Sequence, residues 1–410
     1  MSKGQVNLVL VALGALLLSV TLFRFEAFQL HNVLIHVFVI LVCSGFLLIA
    51  FGLSKLIGFK GFYGVVVLVL FEIGLAVVFQ TIGTMQIRRT PQKLRQFLSM
   101  VYGRGFMSSV QFDKSVSYFD PRLQYLFKPG IHDFNNLEFN SVLNINSGGF
   151  RDDEGSLDNP KALFLGDSYT MGWGVGEEES FVNLFEKEMN VSVLNTGISS
   201  YGTARERILM DRLRLDSCKV VFIQYCSNDL VENYMFSRNG GQLASEKDLK
   251  EGYELYARMN ILLKNYYPFK HVYWLLKGTM MHTGFAAWLE SIQNAGKAGA
   301  EPAGQAETES AGNDHGVYLE KVLHSIRERY NGEIVLYYLD SAFPEEISGQ
   351  LEKVASAPGL NIHWLDMSKA GLQETDYFLI DPHINARGHR KVAETLISFI
   401  KDRGISSRLN

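Results

Sequence analysis

The chain has 410 residues, 47% hydrophobic and 20% charged, with a formal net charge of −4. That balance excludes the basic footprint of a nucleic-acid-binding protein. A mean hydropathy of +0.04 beside so many charges points to an apolar block joined to an ordinary polar one, and the length leaves room for both.

The apolar block comes first. Segments at about 5–23, 32–54 and 62–84 are nearly free of charge and separated by short polar links. Each has close to the roughly 20 residues that cross about 30 Å of hydrocarbon. A lone first segment would suit a signal peptide, but three in succession do not. Residues 1–88 are therefore predicted to be a transmembrane region held in a lipid bilayer. Glu72 is the one acid inside a span. Such a carboxyl is a functional candidate by default, with a bond to a neighbouring helix as the plainer reading; the sequence leaves both open. Lys3, Lys55 and Lys60 flank one side, whereas Arg24, Arg88, Arg89, Lys93 and Arg95 flank the other. By the positive-inside rule this count leans toward a cytoplasmic C-terminal domain.

Residues 89–160 read as a connector of short strands and loops, because Pro-Gly and Gly-Gly steps mark turns. From Lys161 the pattern changes. ALFLGD, VSVLNTG, KVVFIQY, EIVLYYL and NIHWLD are strand-like and alternate with helix-like stretches such as SFVNLFEKEM and GHRKVAETLISFIKD. This predicts an α/β domain over 161–405, with a mostly parallel sheet and helices on both faces. An insert at about 232–315 interrupts it. The aromatic part, Tyr253 to His282, is expected to line a substrate channel, cap the site or pack locally on the sheet. The small-residue stretch 292–314 reads as a flexible loop. Cys218 and Cys226 flank KVVFIQY, which spans roughly 26 Å if extended, beyond the roughly 7 Å limit for a disulfide. With Cys43 in an apolar run, the three cysteines read as structural thiols.

In a doubly wound sheet, sites form beyond the carboxyl ends of the strands. The first strand ends in Gly166-Asp167-Ser168-Tyr169-Thr170, where a serine at a strand-to-helix turn meets free N–H groups and a helix dipole. Serine needs a base, and Asp381-Pro382-His383 supplies one with an orienting acid. GDSYT lacks the second glycine of a G-x-S-x-G elbow. The chain also has no phosphate-binding loop, H-E-x-x-H or Cys/His zinc spacing. No metal or organic cofactor is expected.

Four spaced pieces together resemble the SGNH/GDSL hydrolase superfamily over roughly 160–400. GDSYT is similar to the block carrying the nucleophile, here Ser168. NTGISSYGT resembles the second block, whose backbone N–H helps form the oxyanion hole; that role falls on Ser200 in an ungapped match, or on Gly202 with one insertion. CSND resembles the third block, with Cys226 in place of glycine and Asn228 kept for the hole. DPHINARGH resembles the last block, making Asp381 and His383 the acid and base, with His389 as rival base. Its D-x-H spacing looks like that of membrane-associated O-acetyltransferases and esterases acting on polysaccharides. GGFRD, just before GDSYT, is similar to a segment preceding the catalytic block in membrane-anchored members.

The resemblance implies a three-layer, flavodoxin-like fold preceded by about three transmembrane helices. It further implies serine ester chemistry with an oxyanion hole of Ser168 N–H, Ser200 or Gly202 N–H, and Asn228. The expected substrate is an acylated cell-envelope or exported glycan. Alternatives are a lipid-directed esterase (lysophospholipase or thioesterase) and a non-catalytic membrane-bound assembly protein. Superfamily members with anchors work outside the cytoplasm, which opposes the charge count. The expectation taken is a bacterial inner or plasma membrane protein with an extracytoplasmic domain.

Overall fold

The computed structural model describes residues 2–282 and 314–409. All but Asp314 of the expected 292–314 loop therefore lies outside the described residues. The chain forms two compact units. One gathers residues 1–108, 254–300 and Leu379–Asp381; the other holds 109–253, 301–378 and 382–410.

In the first unit, α1 (Lys3–Phe23), α2 (Asn32–Leu56) and α3 (Gly61–Met85) are each long and apolar enough to cross a membrane. Small residues set how closely they pack. A Cβ on Gly14 of α1 would lie 2.6 Å from the Gly45 carbonyl oxygen of α2, and one on Gly64 of α3 would lie 2.1 Å from that of Ala50. Close approach of this kind drives helix association where no hydrophobic difference separates protein from lipid. The start of the expected loop-and-strand connector is instead a 14-residue helix, α4 (Gln92–Gly105), entered at Pro91. Proline suits the first turn of a helix because its missing N–H has no partner there in any case.

The second unit begins with two hairpins. β1 (Ser117–Asp120) pairs with β2 (Gln124–Phe127), and β3 (Gly130–Asn135) with β4 (Asn140–Ile145). Five strands then form one sheet: β5 (Ala162–Leu165), β6 (Val193–Asn195), β7 (Val220–Tyr225), β8 (Glu333–Tyr338) and β9 (Ile362–Leu365). Their order is β6-β5-β7-β8-β9, and every neighbouring pair is parallel. This is the flavodoxin-like order 2-1-3-4-5, whose switch point lies between β5 and β7. All residues of β5 and β7 are buried, as expected for a parallel sheet covered on both faces.

The helices of this unit include α5 (Ser168–Met171), α6 (Phe181–Met189), α7 (Thr203–Leu209), α8 (Asp229–Arg238), α11 (His315–Arg329), α12 (Glu345–Ala355) and α13 (Ala386–Asp402). Between α8 and α11 the insert forms α9 (Glu246–Lys264) and α10 (Lys270–His282). Ala162, Phe164, Val220, Phe222, Val335 and Tyr337 share one sheet face by their period of two. They form a core with Phe181 and Phe185 of α6 and Val392, Leu396 and Ile400 of α13. On that face the Phe164 and Phe222 rings stack at 4.3 Å. α11 packs on α7 and α8.

The insert divides between the two units. From Glu254 onward it clusters with the N-terminal helices, and α10 packs against α3 and α4. The thiols are free, and Cys218 and Cys226 are buried.

Candidate active site

The carboxyl ends of β6, β5 and β7 lie side by side, so the loops leaving them share one edge. The β5 loop carries Ser168. Its Oγ is 2.8 Å from His383 Nε2 across 215 positions of chain, and both residues are buried. Ser168 opens a helix of only four residues. The macrodipole expected from the sequence is therefore slight, since it grows with aligned peptide units.

Buried polar groups fix this turn. Gln224 of β7 accepts through Oε1 from the Asp167 N–H and the Thr170 hydroxyl, both at 3.0 Å. It donates through Nε2 to the Leu339 carbonyl. Asp167 caps the short helix by accepting from the Tyr169 N–H at 2.9 Å. Burial pushes the Asp167 carboxyl up to about 6. His383 stacks on Trp173, with centroids 4.7 Å apart and planes at 17°, while Tyr169 donates to the Pro382 carbonyl at 3.3 Å. Asp381 is buried and stands two residues before His383 in the chain.

His389, the rival base, lies in the core. It is fully enclosed, stacks on Phe181 and accepts the Phe181 N–H through Nδ1 at 3.2 Å. Burial, with the Arg151 and His383 charges adding, pushes it down to about 3.

Two residues of the β6 loop competed for one role. The Gly202 N–H donates to Glu232 Oε2 at 2.9 Å, so that donor is committed. Ser200 instead has φ +61°, a left-handed conformation that costs an ordinary L-residue roughly 1–2 kcal/mol and that glycine adopts freely. Among the described residues the Ser200 and Ser168 backbone N–H groups donate to no other group. Asn228, just beyond β7, is exposed, and its side chain does not cap the helix it precedes.

Several residues that frame this edge carried no sequence signal. Gln111 donates to the Ser200 hydroxyl at 2.9 Å, Tyr125 donates to the Ser199 carbonyl at 2.7 Å, and Tyr201 donates back to the Tyr125 carbonyl. The GGFRD segment also has physical content. Its fully buried Arg151 donates to the carbonyls of Met171, Gly172, Val142 and Val175, tying down the turn after Ser168. Asp152 accepts from the Asn195 N–H at 2.8 Å, and burial pushes its carboxyl up to about 7. Only pairings between distant positions reveal these roles. Among the described residues, no cluster of three or more His, Cys, Asp or Glu side chains is arranged to hold a metal ion.

No protein-family model matches the chain, and no curated protein matches it at a significant level. Solved structures do. The protein TesA is 13% identical, over 59% of this chain and 98% of its own, with a TM-score of 0.34. A lipolytic protein of the G-D-S-L family from Veillonella parvula is 13% identical, over 58% and 97%, at 0.31. A carbohydrate esterase, described as having divergent catalytic and non-catalytic binding functions, is 15% identical over 60% and 70%, at 0.35. TM-scores this low carry no weight of their own, and the fold rests on the strand order and register above. The solved structures to which the chain is similar thus include a G-D-S-L lipolytic protein and a carbohydrate esterase.

Proposed function

We propose that the chain is a membrane-anchored serine esterase or O-acyltransferase of the SGNH/GDSL type. The observation that carries this reading is the 2.8 Å contact between His383 Nε2 and Ser168 Oγ at the switch point of the sheet. That distance suits direct proton transfer from nucleophile to base.

In this mechanism Ser168 Oγ attacks the ester carbonyl carbon while its proton passes to His383 Nε2. Asp381 holds the imidazole in the tautomer that accepts it. The carbonyl oxygen becomes an oxyanion that takes hydrogen bonds from the Ser168 N–H, the Ser200 N–H and the Asn228 side-chain amide. The C–O bond to the leaving alcohol then breaks, and His383 returns the proton to that oxygen. Water attacking the acyl-serine gives hydrolysis, and a sugar hydroxyl gives transfer. The D-x-H spacing supports an acyl group carried on a cell-envelope or exported glycan. The spans would then sit in a bacterial inner or plasma membrane, with the domain on its outer side.

The test uses full-length protein in lipid nanodiscs with p-nitrophenyl esters. The expected result is turnover of acetyl but not long-chain esters, lost in Ser168→Ala. Long-chain preference would favour a lipid substrate, and undiminished turnover in Ser168→Ala would overturn the assignment. An impermeant thiol reagent applied to cells carrying Ser310→Cys reads out sidedness, with labelling expected from outside.

A further inference from the structure

The part of the insert that joins the N-terminal unit starts near one end of the spans. The Arg258 guanidinium donates to the carbonyl of Gln29, in the link between α1 and α2. From there the chain runs to the middle of the spans. Cys43 Sγ donates to the Pro268 carbonyl at 3.7 Å, and the Phe46 and Phe269 rings lie 5.9 Å apart. Glu72 accepts from the His271 and Val272 N–H groups at 3.1 and 3.0 Å and bonds His271 Nδ1 at 2.9 Å. The chain then returns. Tyr273 donates to the Thr21 carbonyl, in the last turn of α1, at 3.1 Å, and the Lys277 ammonium sits 3.5 Å over the Phe25 ring.

Cys43 and Glu72 each stand near the centre of a 25-residue helix. Glu72 divides α3 into pieces of about 16 and 20 Å at 1.5 Å per residue, and neither crosses about 30 Å of hydrocarbon alone. If α3 crosses a membrane at all, the backbone that touches Glu72 lies inside the bilayer. We propose that residues 258–277 form a re-entrant hairpin that dips to the middle of the bilayer and turns back, a fourth membrane element with Ile261 and Tyr266 facing lipid chains. It goes beyond the enzymatic reading and rests on the transmembrane reading of α1–α3.

The tip keeps its backbone paired, and Lys264 and Asn265 are its exposed polar side chains. Non-helical backbone survives at membrane depth only where protein satisfies it. Asn265, Pro268 and Phe269, the last with φ +63°, break the helix between α9 and α10. The Lys270 ammonium donates to the carbonyls of Leu263 and Asn265 at 2.6 and 3.1 Å, closing the C-terminal end of α9. The Glu72 carboxylate closes the N-terminal end of α10. Each charge faces the helix-dipole end of opposite sign. The aromatic faces of Phe106 and Tyr267 cover Lys270. Ile261 and Tyr266 are exposed at 43% and 65%, where a lipid-facing surface needs them.

The test places one nitroxide label at a time on full-length protein in phosphatidylcholine/phosphatidylglycerol liposomes. The background is Cys43→Ser, which keeps the donor to Pro268, with the other free thiols, Cys218 and Cys226, replaced by alanine. Labels go at Tyr266→Cys (tip), Tyr256→Cys (before the hairpin) and Val67→Cys (exposed on α3). Collisions with oxygen and with a water-soluble nickel chelate report depth. The expected result is that 266 matches 67, oxygen-accessible and nickel-shielded, while 256 is nickel-accessible. If 266 is as nickel-accessible as 256 while 67 stays shielded, the hairpin lies in water and the inference is overturned. If 67 is nickel-accessible too, the membrane reading itself fails. Glu72→Leu is expected to raise nickel access at 266 severalfold with 67 unchanged; no rise removes Glu72 as the pin.

Discussion

Both the tip of the insert and the edge of the sheet around Ser168 bury polar groups among apolar ones, but they end differently. At the tip, Glu72 and Lys270 are both spent on backbone groups: the α10 N–H groups, and the last carbonyls of α9. At the sheet edge, buried side chains hold the framework, yet among the described residues the N–H groups of buried Ser168 and exposed Ser200 donate to no other group. An unmade hydrogen bond costs about 1–3 kcal/mol when buried. Paired charges mark structure at the tip, and the open N–H of Ser168 is available to the proposed oxyanion.

The largest expected effect comes from the third donor of the proposed oxyanion hole, the exposed Asn228 side chain. Asn228→Ala is expected to lower kcat by about 10²–10³ with KM little changed, since an oxyanion donor acts in the transition state. Steady-state kinetics on an acetyl ester reads this directly. Loss of binding with kcat intact would mean that Asn228 holds substrate instead. A smaller effect is expected from a framework group. Gln111→Ala frees the Ser200 hydroxyl and is expected to lower kcat about tenfold, by loosening a backbone conformation that costs roughly 1–2 kcal/mol. Ser200→Gly in that background restores most of the loss, because glycine takes φ +61° unaided. A purely structural role for Gln111 would show no such rescue.

A separate effect concerns stability and not turnover. His389 is held at about 3, below the ordinary value near 6.5. The folded chain keeps it neutral while the unfolded chain protonates it below about 6.5. Its contribution is therefore fully present above that pH and is lost as pH falls toward 3. His389→Gln is expected to flatten this acid loss by up to about 1.4 kcal/mol per pH unit. Apparent melting midpoints of the full chain in detergent between pH 7 and 4 check it. Unchanged acid sensitivity would mean another group carries the loss.

The sequence displayed the spans well because hydropathy is local: expected spans of 5–23, 32–54 and 62–84 correspond to helices at 3–23, 32–56 and 61–85. The parallel sheet was legible for a similar reason, since its strands are short apolar runs between helix-like stretches. Other features depended on distant partners. Which of Ser200 and Gly202 keeps its N–H turned on Glu232, thirty positions away. The partner of Glu72 lay about two hundred positions off. Residues 258–277 carry no span-like hydropathy because Lys264, Asn265, Pro268 and Lys270 interrupt the apolar run, and these breaks make sense only with their partners. α4 was read as loop because its Gln, Lys and Arg hide the helical period.

The most direct measurement of the central claim is covalent labelling of the full chain in nanodiscs with a fluorophosphonate, read by peptide mass spectrometry. The expected result is one adduct, on Ser168, formed rapidly in the native chain and orders of magnitude more slowly in His383→Ala. Labelling at another serine, or equal labelling without His383, would contradict it.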